Sequence, residues 1–159
     1  MKSLRRFIIP NATYFLTLVT HLREPLLLHD PNLFWESWDT DGLLAWVLLP
    51  DHLHLIVAPG TDSVSDVMHR FKTRYSRRYR DRYRSGSVWQ SRFWDHVIRD
   101  ESDMNRHLDY IHYNPVHHGI VTDPFVYSHS SLRKWHESGH YTRDWGVKES
   151  VSFDGEFGD

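Results

Sequence analysis

The order of hydrophobic patterns along the 159 residues predicts an α+β fold, a ferredoxin-like antiparallel sheet with helices packed on it. Two observations carry that prediction. A strand pair joined by a two-residue turn sits near the middle of the chain, and around it the patterns run strand, helix, strand pair, helix, strand, helix. Composition supplies a third: 40% apolar and 14% aromatic residues can offset the entropy of folding, which excludes a globally disordered chain.

Taken in order, Phe7 to Val19 reads as strand, with Pro10, Asn11 and Ala12 marking a turn or bulge, so one strand or two short ones both fit. Asp30-Pro31 starts a short helix to Asp39, with Leu33, Phe34 and Trp38 at helical spacing. The apolar run Leu43 to Leu49, the turn Pro50-Asp51 and the segment His52 to Ala58 form the hairpin. From Ser63 a second helix begins, in which Val67, Phe71, Tyr75, Tyr79 and Tyr83 recur every four residues as one stripe. Ser85-Gly86-Ser87 ends it, and a strand follows near Phe93 to Ile98. Asp100 caps a third helix whose apolar side is Met104, Leu108 and Ile111, and Pro115 is expected to stop or bend it.

The length predicts one domain over residues 1–146, followed at 147–159 by a loose acidic tail with four acids, two glycines and one lysine. The longest unbroken apolar run has seven residues, far below the roughly 20 of a membrane span. No secretory signal is read at the start, so the cytoplasm is the expected compartment. Without cysteine there is no disulfide, thiolate metal site or sulfur nucleophile, and any metal falls to His, carboxylate or amide groups.

A formal charge of −2 hides an asymmetry: residues 70–84 alone carry a net +7, from eight bases against Asp81. That points to a polyanion, most simply nucleic acid. Phe71 and Tyr75 are expected in the core, leaving Arg70, Lys72, Arg74, Arg77, Arg78, Arg80, Arg82 and Arg84 for phosphates. A merely solvated charged face is the bland alternative.

His52 and His54 are two apart on a strand, so both imidazoles share one face while Leu53, Leu55 and Val57 take the other. Such a pair can hold a divalent metal, although a chain with 13 histidines also produces one by chance. On the third helix Tyr110 and Asn114 are four apart and share a face. Two imidazoles and an amide oxygen would give Mg²⁺ or Mn²⁺ three protein ligands, and a tyrosine hydroxyl nearby could act as nucleophile. Tyr110 as a plain packing residue and Tyr113 as a rival nucleophile both stay open at this point.

Three motifs, in this order and spacing, resemble a known family: Leu49-Pro50-Asp51-His52-Leu53-His54, Trp89-Gln90-Ser91-Arg92-Phe93-Trp94-Asp95-His96, and Asp109-Tyr110-Ile111-His112-Tyr113-Asn114-Pro115-Val116. They look like the REP-associated tyrosine transposases, single-tyrosine members of the HUH endonuclease superfamily. The resemblance implies a metal-dependent enzyme, with Mg²⁺ or Mn²⁺, that cuts and rejoins single-stranded DNA at hairpins. It implies His52, His54 and Asn114 as metal ligands, Tyr110 as the catalytic tyrosine forming a 5′-phosphotyrosine link, and Arg92 among the DNA-binding residues. It also implies a monomer, with a dimer as the alternative. Two departures from the family pattern stand out: Asn11-Ala12 replaces a frequent Gly-Gly pair, and His117-His118 stands where Lys or Arg is common. A hairpin-binding regulator without catalysis, and a phosphohydrolase that uses the histidines with water, are the competing functions.

Overall fold

Alternation along the central hairpin decides where the layers lie. The computed structural model describes residues 9–159. Four strands, β1 (Tyr14–Val19), β2 (Leu43–Leu48), β3 (His52–Val57) and β4 (Trp94–Val97), form one antiparallel sheet in the order β2-β3-β1-β4. This is the ferredoxin-like arrangement. Among the described residues four α-helices accompany it: α1 (Asn32–Ser37), α2 (Val64–Arg82), α3 (Glu101–His117) and α4 (Leu132–Glu137). Leu53, Leu55 and Val57 point into one core with α1 and α2, while Ile56 and Phe15 belong to the opposite core under Leu108, Tyr110 and Ile111 of α3. Period-two alternation therefore puts His52 and His54 beneath α3.

On α2 the stripe Val67, Phe71, Tyr75 and Tyr79 is buried, and the Ser63 side chain accepts the Asp66 amide at the helix start. Tyr83 leaves the stripe: it is 50% exposed and its hydroxyl donates to Asp30. Asp100 caps α3 by accepting the Asp103 amide. That helix does not stop at Pro115 but runs on to His117. So close to the helix end a proline removes a single intrahelical bond, and the Pro115 carbonyl is taken up by the Ile120 amide at 2.9 Å.

At the other end of the chain β1 begins only at Tyr14, after a turn in which Asn11 has φ 60° and its amide reaches Gly60 O. The part of the expected strand before Ile9 lies outside the described residues. The outer edge of β2 is covered: Leu48 N donates to His129 O, Ser131 N donates to Trp46 O, and Ser131 Oγ accepts from Trp46 N. Trp135 Nε1 adds a bond to Leu44 O. Residues 151–159, read from composition as loose, instead pack on the α3 side of the sheet through Phe153 and the nearly buried Phe157. Counting acids and glycines gave those two rings no weight.

Candidate functional site

Strand register sets up the two histidines. β1 places Thr17 opposite His54, and Thr17 Oγ1 lies 2.7 Å from His54 Nδ1 while donating its own proton to Phe157 O at 2.5 Å. With that proton committed, the hydroxyl can only accept from His54, so Nδ1 carries the hydrogen and Nε2 the lone pair. Asp51 does the same for its neighbour, accepting from His52 Nδ1 at 2.7 Å. Both Nε2 atoms are buried without a hydrogen-bond partner among the described residues, and so are the amide oxygen and nitrogen of Asn114. Buried polar atoms are rarely left orphaned, and orphaned acceptors are what a cation needs. Burial also keeps the imidazoles neutral: it pushes His54 down to about 4 and lowers His52 against the opposing pull of Asp51.

α3 brings Tyr110 to this point, its ring centre 5.2 Å from that of His54. Tyr113 sits elsewhere, packed against Trp145 and Phe153. The Tyr110 hydroxyl donates to the carboxylate of Asp159, whose Oδ2 is also 3.5 Å from His54 Nε2, 3.8 Å from His52 Nε2 and 3.4 Å from His118 Nε2. Burial and the Asp159 charge raise the phenol far above its usual range. Burial opposes the Asp159 charge, but the His118 and Tyr110 groups that bond to it hold the carboxyl below its normal range. Beside them lies a cavity of about 700 Å³ lined by Trp94, Tyr110, His117 and residues of the 151–159 segment.

Thr17, Asp51 and Asp159 thus join the site without having been given a role from the sequence, and His118, noted there as a departure from the family pattern, joins them. Asp51 could have been found, since it adjoins His52 in the turn. Nothing local marks Asp159. A second group, His96, Asp103 and His107, also gathers possible ligand atoms, but Arg99 and Arg106 crowd the same carboxylate and leave it no need of a cation.

The basic residues of α2 divide into two sets. Arg70 and Arg74 pair with Asp39, Arg82 with Asp30 and Glu36, and Arg84 with Glu24. These tie α2 and its end to α1 and to the loops on either side of it. Arg78, on the same side as Arg74 and Arg82, reaches Arg74 O, while across the helix Lys72 donates to Gln90 O. Arg77, Arg80 and Arg92 have no ion pair among the described residues, and a shallow groove runs between Lys72, Thr73, Ser76, Arg80 and the strand-like segment 87–91. The acids that offset the +7 of residues 70–84 are therefore partly engaged by the arginines themselves.

A transposase IS200-like family model matches residues 36–114. A REP-associated tyrosine transposase of Escherichia coli K12 is 30% identical over 156 residues, covering 91% of each chain. A Haemophilus influenzae protein of the same description is 31% identical over 175 residues, covering 98% of this chain and 99% of that one. The chain belongs to the REP-associated tyrosine transposases. The structure of a REP-associated tyrosine transposase bound to a REP hairpin superposes on it with a TM-score of 0.87 at 29% identity, covering 100% of this chain and 98% of the other. As a tyrosine transposase the chain is an enzyme of DNA strand cleavage and transfer, and the ferredoxin-like reading of its α+β fold holds over the full length of that match.

Proposed function

We propose that this transposase cleaves and rejoins single-stranded DNA beside a hairpin through a covalent link to Tyr110. The observation that carries the reading is the pair of buried, partnerless Nε2 lone pairs placed next to the phenol. His52, His54 and Asn114 would hold Mg²⁺ or Mn²⁺, and the ion when bound supplies positive charge that neutralises the attacked phosphate and favours the phenolate. Asp51 and Thr17 keep the imidazole protons on Nδ1, away from that charge. Tyr110 gives up its phenolic proton as its oxygen bonds to phosphorus, the bond from phosphorus to the 3′ oxygen breaks, and that oxygen leaves as a 3′-hydroxyl after gaining a proton. The link keeps the energy of the phosphodiester, so the 3′-hydroxyl of another strand can reverse it.

Phosphates on the DNA meet the exposed sides of α2 that carry Lys72, Arg77 and Arg80 and, between Arg74 and Arg82, Arg78, together with Arg92. Arg70, Arg74, Arg82 and Arg84 act instead by holding that helix in place. A monomer is favoured because the β2 edge is already covered by the chain's own residues. Incubating the protein with labelled hairpin DNA and Mn²⁺, then resolving it under denaturing conditions, should show a protein–DNA adduct that chelator abolishes. DNA binding without any adduct, in the wild type and in variants of Asp159, would leave a hairpin-binding regulator in its place.

A further inference from the structure

Phe157 and Asp159 set, two residues apart, a flat aromatic ring and an anion. A nucleotide presents the same two features as base and phosphate. The Phe157 ring lies parallel to that of Tyr110, with centres 3.8 Å apart and planes 6° apart. Phe15 and His107 close its edges at 5.9 Å and 5.3 Å, and the Arg106 guanidinium lies over it at 5.2 Å. The Phe157 carbonyl accepts from Thr17, and the Asp159 carboxylate meets the Tyr110 hydroxyl. Between ring and carboxylate the chain squeezes past Trp94. A Cβ on Gly158 would sit 2.3 Å from that side chain, at a φ of +80°. Phe157 is thus seated in a slot that the domain provides, while residues 154–156 of the same segment stay exposed.

We propose that this slot is a nucleobase site: the base next to the scissile phosphate stacks on Tyr110 where the Phe157 ring now lies, with its phosphate in the place of the Asp159 carboxylate. The proposal rests on the cleavage reading above and adds which part of the substrate the protein grips there. The walls suit that ligand. Aromatic faces bind bases of any sequence by stacking, and a guanidinium adds a cation–π contact while remaining able to reach a phosphate. Arg106 is presently held by Asp154 O at 2.6 Å, a bond that the segment takes with it when it leaves.

The test uses the full chain and two hairpin DNAs. One carries single-stranded thymidine flanks and the other has the same flanks built from abasic sites, so the phosphates are identical and only the bases differ. At DNA concentrations that saturate binding, the thymidine flanks should speed amide hydrogen exchange over residues 153–159 by about tenfold, within the range that stacking provides, while the abasic flanks leave it near the DNA-free rate. Phe157→Ala, which vacates the slot, should tighten binding of the thymidine-flanked hairpin several-fold more than that of the abasic one. Equal exchange with the two DNAs, no change with either, or an equal affinity shift in the variant would overturn the slot. Tyr110→Phe cannot form an adduct and should keep the flank dependence. A wild type that shows flank-dependent exchange and no adduct would therefore sink the cleavage reading alone, and an adduct without flank dependence would sink the slot alone.

Discussion

Tyr110 and Tyr113 are three residues apart on one helix and sit in unlike surroundings, one beside His54 and the other against Trp145. Tyr110→Phe should abolish the covalent adduct with DNA affinity retained, whereas Tyr113→Phe should leave most of it; denaturing gels with labelled DNA decide, and the reverse result would reassign the nucleophile. Asp51 makes a subtler demand. By fixing the His52 proton it should govern metal affinity, so Asp51→Ala should weaken Mn²⁺ binding by about 10- to 100-fold in calorimetry. Away from the site, His112 is sealed within α3, with Tyr141 OH 2.9 Å from Nδ1 and Ser131 Oγ 2.7 Å from Nε2. Burial pushes it down to about 3. Because its folded value lies below the unfolded one near 6.5, the unfolded chain takes up the proton first, and stability falls as pH drops through that window. Denaturant melts at pH near 7 and near 4 should differ by about 3 kcal/mol from this group, and His112→Gln should flatten that part of the slope.

The two flanks of α2 are expected to behave as different materials. Arg77→Ala or Arg80→Ala should each reduce the slope of log K against log salt by about 0.7 on single-stranded DNA, because each removes one phosphate contact. Arg82→Ala removes a tie to Asp30 and Glu36 instead, so it should lower the melting temperature modestly and leave the salt slope alone. Binding isotherms at several salt concentrations separate the two, and a slope loss at Arg82 would merge the flanks again. Sequence alone shows the helix, its buried stripe and its charge, since all three are local in the chain. It does not show the division of the arginines, because Asp30, Glu36 and Asp39 lie more than thirty residues away and meet α2 only after folding. The hairpin and its two histidines were legible for the same local reason: alternation assigns a face without tertiary information. Pro115 misled because proline is costly in a helix interior, and only the structure shows how near the helix end it sits.

At the scale of the molecule, residues from the far end of the chain fill the site that the sheet and α3 build. Asp159 takes the Tyr110 proton in a hydrogen bond and stands against both histidines, so a phosphate cannot share that position. Asp159→Ala should therefore raise the rate of adduct formation by about tenfold or more, the scale of losing a charge-assisted hydrogen bond together with a like-charge conflict. An unchanged rate in single-turnover assays would show that the segment leaves too readily to matter. The cover on β2 is a second long-range closure. The strand it protects is made some eighty residues before Ser131, which supplies the shielding bonds. While the chain grows on the ribosome, the hairpin can fold with a bare hydrogen-bonding edge and nothing yet synthesised to occupy it. Chains stalled before residue 129 should then be far more prone to aggregate than those extended past Ser131, so the interval of greatest risk for this protein runs from the synthesis of the hairpin to that of its cover.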